Sequence, residues 1–234
     1  MVSMTYHEIF LYTAYYFDFM KGFEIVKKII DVIPKDELKG YNFNRYGVEG
    51  EDRVPHITVR LDLANDIPNQ VEDLLSDMKK EGIITCWRTE NPLVKPFKEY
   101  STTHHTAHET STACAFTFYD LMKNNRDEFQ EFMNDKFRYL SHFLPLWLKK
   151  CGFRKLDNLT VSTTEFIENL AKRCSESFKN TVDKARIDNK YVFTERLIHT
   201  FNNCICIDPN EEANIMFNLM QRIFYTDLSA SLDI

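Results

Sequence analysis

Residues 54–63, VPHITVRLDL, alternate with a period of two. Successive side chains of an extended chain point to opposite faces. Ile57, Val59, Leu61 and Leu63 therefore make an apolar face, and His56, Thr58, Arg60 and Asp62 a polar one. The pattern predicts a strand with one side in a core. Its other side is either the wet face of a sheet or the lining of a site where a histidine and an arginine handle a substrate.

The flanking sequence supplies the rest of a layer. EIFLYTAYYF (8–17) is aromatic and β-favouring and predicts a strand. GFEIVKKIIDVI (22–33) spaces Phe23, Val26, Ile29, Ile30 and Ile33 as one helical face, closed by Pro34. YNFNRYGV (41–48) and VPHITVRLDL read as two strands around the polar turn EGEDR. Pro68 opens a helix that runs to a C-cap at Gly82, and IITCWRTE (83–90) resumes a strand. This order predicts an α+β layer, with helices covering one face of a largely antiparallel sheet.

Beyond about residue 105 the periodicity becomes helical, over 108–123, 126–152, 164–185, 194–205 and 210–228. Thr164 and Thr194 stand where N-caps would, and Pro145 is expected to break or kink the second helix. No Pro/Gly/Ser linker and no repeat divides the chain. The expectation is one integrated domain over 1–234, with an α/β part (1–104) and a helical part (105–234).

Composition narrows the class. A chain of 234 residues can bury a substantial core. Its net charge of −6 argues against a protein that wraps nucleic acid. No apolar run approaches the length of a membrane span, and the start lacks the layout of a secretory signal. Six cysteines form no CxxC pair, which points to free thiols in a reducing cytoplasm. Neither nucleic acid nor membrane is expected as a partner.

Four constellations could carry chemistry. HITV (56–59) matches a His-x-Thr-x phosphoesterase motif, but its only possible mate, HHTA (104–107), lies in a polar stretch away from any strand pattern. HHTAHE places His104 and His108 four apart beside Glu109, yet ahead of the predicted helix and without the zincin order, so a helix-capping segment is expected and no metal. No base is paired with any cysteine. In ERLIHTFNNCI (195–205), His199 and Asn203 lie one helical turn apart, either as a structural polar pair or as part of a site.

Taken in chain order, these pieces resemble the C-terminal-type domain of lantibiotic dehydratases, which also occurs alone in thiopeptide biosynthesis. That family shows an Arg-Tyr strand, a short polar loop and His-Leu-Arg-Leu-Arg; here NRYGVEGEDRVPHITVRL aligns Arg45, Tyr46, His56 and Arg60 with it. The family's His-Met-x-x-Asn-Arg, followed by a Glu-opened terminal helix, is matched by His199, Asn203 and Glu211–Glu212. Thr58 stands in place of the first strand arginine, Cys204 in place of the arginine after Asn203, and Thr200 in place of the methionine. The family's Glu-Arg-Tyr-Gly-Gly stretch has no counterpart; KPFKEYSTTHH occupies its position.

In eliminating members, the resemblance implies, arginines hold the carboxylates of a glutamate esterified to Ser or Thr while a histidine moves protons. Thr58 weakens such a pocket, because bidentate guanidinium suits carboxylate. Stand-alone pyridine synthases instead join two dehydroalanines in a formal [4+2] cycloaddition. That chemistry needs enforced proximity and a donor or acid/base group, and it is the expected activity here. The expected catalytic residues are His199, Arg60 and Tyr46, with His56, Asn203, Arg45 and Thr58 binding substrate and no cofactor. The expected partners are a precursor peptide and other enzymes of its pathway. The alternatives are a split glutamate-eliminating lyase and a non-catalytic peptide-binding partner.

Overall fold

The computed structural model describes residues 5–46, 54–90, 102–153, 156, 163–182 and 190–231, the side chains of 5, 6, 46, 102, 190, 191 and 222–231 being left aside. Strands β1 (Thr5–Tyr12), β2 (Leu38–Tyr46), β3 (His56–Leu63) and β4 (Cys86–Glu90) form one antiparallel sheet in the order β2-β3-β1-β4. A mostly helical half follows, so the chain is α+β. The EGEDR turn lies outside the described residues.

Two compact units divide the chain. The first takes residues 1–112 and 186–206, the second 113–185 and 207–234. In the first, α1 (Phe19–Asp31) and α2 (Asn69–Lys80) cover the sheet face bearing Ile9, Leu11, Phe43, Val59 and Leu61, all fully buried. Phe23 of α1 meets Phe43 edge to face, and Trp87 of β4 donates to Glu72 of α2 (3.2 Å). The opposite face is covered as well, by the first half of α3 (Thr102–Lys123) and by α7 (Lys190–Cys204). All eight residues of β3 are accordingly buried, so both faces are covered at this strand where a one-sided layer was expected, whereas β4 is largely exposed.

Side chains close the outer edge of β2. The Phe43 N–H donates to Thr112 Oγ1 (3.2 Å), and the Cys204 thiol donates to the Phe43 carbonyl (3.2 Å). The two Phe43 backbone groups, which a fifth strand would pair, are thereby satisfied.

In the second unit, α4 (Arg126–Asn134), α5 (Lys136–Lys150), α6 (Glu165–Val182) and α8 (Pro209–Ser231) join the second half of α3. Phe118, Phe132, Tyr139, Phe143 and Trp147 form its aromatic core. Cys114 of α3 and Cys174 of α6 exchange thiol-to-carbonyl bonds (3.3 and 3.6 Å).

Several boundaries differ from the sequence expectation. β1 stops at Tyr12, because Thr13 turns the chain by donating to the Ile83 carbonyl (2.7 Å) while accepting from the Tyr15 N–H (3.1 Å). Asp18 caps α1, three residues early. The 126–152 segment breaks at Asp135, whose backbone leaves the helical region and whose carboxylate caps α5, whereas Pro145 sits inside α5. Thr164 does cap α6 (3.2 Å to the Ile167 N–H), but Thr194 lies within α7.

Candidate functional site

The register gathers the polar face of β3 with its neighbours. His56, Thr58, Arg60 and Asp62 oppose Tyr46, Asn44, Asn42 and Gly40 of β2, while Phe10 and Glu8 of β1 oppose Thr58 and Arg60. His104, His105, His108 and Glu109 of α3, with Arg196, His199, Thr200 and Asn203 of α7, come from the two helices covering this side. The polar face is thus neither wet nor apolar; it is one wall of a buried polar layer.

Arg60 is ion-paired through Nε to Glu8 Oε1, both side chains being largely buried (10% and 16% exposed). A bond to an ionised partner in so dry a place is strong, and Glu8 answers the arginine's charge from within the chain. His56 bonds the Val54 carbonyl through Nδ1 (2.8 Å), with its ring 5.6 Å from both Phe10 and Tyr12. Thr58 is fully buried, and its Oγ1 has no hydrogen-bond partner among the described residues. Tyr46 ends β2 opposite His56; its side chain lies outside the described residues.

On α7, the Asn203 amide donates to His199 Nε2 (3.2 Å), joining the two residues across one turn. Thr200 reaches α3 at His108 Nδ1 (3.2 Å). Burial, with Arg60, Arg196, His199 and His104 nearby, holds His108 uncharged, its pKa pulled down to about 3. His105 is shifted the other way, raised mainly by its bond to Glu109 (3.3 Å). Burial also raises the Asp62 carboxyl, and Glu109 adds to the effect.

Arg45 goes elsewhere. It opposes Ile57, so it shares the α1-covered face of the sheet. Its Nε donates to the Cys204 carbonyl (3.1 Å), Nη1 to Tyr16 and Asp18 (2.7 and 3.3 Å) and Nη2 to Phe19 (3.4 Å). A Cβ on Gly22 would overlap this guanidinium, and Phe23 stacks beneath it. Arg45 ties the end of α7 to the β1–α1 turn and is not brought together with Arg60, His56 or Thr58.

The HHTAHE segment was expected to precede a helix. It instead lies within the first two turns of α3, where His108 is buried and His104 and His105 are half-buried. Glu8 and Arg196 belong to no motif that marks them in the sequence, and His108 reads there only as part of a helix-capping segment. Glu8 alternates in phase with Phe10 and Tyr12, a signal that could have placed it on the site face once β1 and β3 were paired. Cys204, in the position of a family arginine, is fully buried, and its thiol is raised to about 12 by desolvation.

No family model matches the chain, and no curated protein sequence matches it. Among solved structures it is similar to the tRNA-dependent lantibiotic dehydratase MibB from Microbispora sp. 107891, at TM-score 0.51 and 11% identity over 97% of this chain. It spans 28% of that protein's length. The likeness is one of fold, and this chain carries a lantibiotic-dehydratase-like fold.

Proposed function

We propose that the protein tailors a ribosomally made precursor peptide, as a pyridine-forming cyclase acting on two dehydroalanines. The observation that carries this choice is the Glu8–Arg60 pair. A glutamate-eliminating site must offer guanidinium to a substrate carboxylate. Here the strand arginine already faces an internal carboxylate, Thr58 has no charge to offer, and Arg45 is committed to backbone carbonyls. The MibB likeness supports work on a peptide; the dismantled arginine set favours cyclisation over elimination.

In the cyclisation, one dehydroalanine with its neighbouring amide, as the imidic tautomer, supplies a 2-azadiene, and the other supplies the two-carbon partner. Two carbon–carbon bonds close a six-membered ring. Loss of water and then of the leader peptide as its amide leaves the aromatic pyridine, with no external oxidant. His199 serves as the acid/base group for tautomerisation and dehydration. Asn203 positions His199. Arg60, held by Glu8, orients a peptide carbonyl. Thr58, His56 and Tyr46 act as neighbouring donors. Arg45 keeps α7, and so His199, in register with the sheet.

Purified protein mixed with a leader-linked peptide carrying two dehydroalanines should release leader amide and a macrocycle, followed by mass and ultraviolet absorbance. His199→Ala and Arg60→Ala should each lower turnover by about a hundredfold or more. Processing of a glutamylated peptide alone would replace this reading with the lyase. Binding without turnover of either substrate would replace it with a peptide-presenting partner.

A further inference from the structure

We propose that Asp62, Glu109 and His105 form a receptor for a primary ammonium group, borne on a lysine side chain or at the α-amine of a peptide. Asp62 is 6% exposed, and its Oδ1 is buried without a hydrogen-bond partner among the described residues. A buried carboxylate oxygen left unanswered is costly, and native structures resolve such an atom with a partner.

The surroundings set a second carboxylate beside the first. β2 carries a register irregularity between Leu38 and Gly40, directly opposite Asp62, and such bulges locally reshape a strand beside a site. A Cβ on Gly40 would fall on Glu109 Oε1 and 3.8 Å from Asp62 Cβ. The missing side chain thus lets a second carboxylate enter beside the first. His105 bridges to Glu109 Oε1 (3.3 Å), and its raised basicity favours the charged ring. Lys39 donates to the Asp36 carbonyl and Arg60 is paired with Glu8, so neither of these bonds serves the Asp62 Oδ1.

The geometry selects the cation. A guanidinium prefers both oxygens of one carboxylate in a planar fork, whereas the orphan here is a single oxygen beside a second carboxylate already shared with His105. An ammonium, a point charge with three rotatable donors, suits that arrangement. The chain's net charge of −6 would draw a cationic peptide segment toward it. This inference concerns binding alone and stands apart from the reaction assigned above.

Titration of the full chain with Nα-acetyl-lysine amide and with glycinamide, read from the His105 ring and Asp62 carboxylate signals by NMR, tests it. A saturable shift with either amine supports the receptor, and the tighter of the two identifies a side-chain or an α-amine source. Asp62→Asn and Glu109→Gln should each weaken binding by about tenfold, and Gly40→Ala, by displacing Glu109, should act in the same direction. If Asp62→Asn fails to fold, Glu109→Gln and the uncharged Nα-acetyl-norleucine amide carry the test. The proposal is overturned if norleucine amide shifts the signals equally, if neither amine saturates, or if calcium ions bind where the amines do not.

Discussion

Arg60 on β3 and Glu8 on β1 face each other across an antiparallel strand pair and meet as a largely buried ion pair. Removing one partner strands the other charge in a dry interior. Glu8→Gln should therefore destabilise the protein by about 3 kcal/mol, read from urea unfolding. Adding Arg60→Met should restore much of the loss, and additive single effects in that double-mutant cycle would show that the two charges do not interact.

His108 makes the native state acid-sensitive. It stays neutral in the fold down to about pH 3, while an unfolded histidine takes its proton near 6.5. Its stabilisation is thus present above about pH 6.5 and fades as pH falls toward the folded value. The slope is about 1.4 kcal/mol per pH unit for one proton. His108→Gln should flatten the stability-against-pH curve in that window, and an unchanged slope would contradict the shift.

His105 behaves oppositely. Its folded pKa is raised, chiefly by the bond to Glu109. The stabilisation is full below its unfolded value and is lost as pH rises through the folded one. Because both side chains are partly exposed, the effect is modest. Urea midpoints of Glu109→Gln should converge on those of the parent as pH is raised past neutrality.

Thiol chemistry should sort the six cysteines by burial. Cys86 is exposed, while Cys114, Cys174 and Cys204 are enclosed with thiols raised by desolvation. Under native conditions iodoacetamide should modify Cys86 first and leave these three untouched until the chain unfolds, as peptide mass mapping would show. Restoring the arginine of the resembling family, as Cys204→Arg, would drive a guanidinium into the closed edge of β2 and should prevent folding.

Replacing Arg45 should separate holding from binding. Arg45→Lys keeps the charge but loses the fork that reaches four carbonyls, at a cost of about 2 kcal/mol in urea unfolding. A variant unchanged in stability would mean that those carbonyl bonds contribute nothing.

The legible parts of the chain were those where periodicity and burial agree. The alternation of β3, the apolar faces of α1 and α2 and the antiparallel order were all readable, since their apolar sides meet a core. The polar wall misled in a consistent way. The His104–Glu109 segment looks like a loop only if polar means solvated, and here His108 is buried near Arg60 while the half-buried His105 lies near Asp62. Arg45 belongs to the family-like motif, yet its register opposite Ile57 puts it on the face away from Thr58 and Arg60. Glu8 became visible only through register, which no single segment encodes.

The bond from Arg45 to the Cys204 carbonyl spans 159 residues, and the unit containing both is interrupted by residues 113–185. During synthesis the sheet can pair its four strands early, yet its polar wall must wait for α7 to emerge. Until then the part of the layer that α7 supplies, with Arg196, His199, Thr200 and Asn203, is missing, and the layer cannot close. Assembly of the site is therefore a late event, gated by a long loop closure, and truncation anywhere before Cys204 would leave strands without the helix that completes their chemistry.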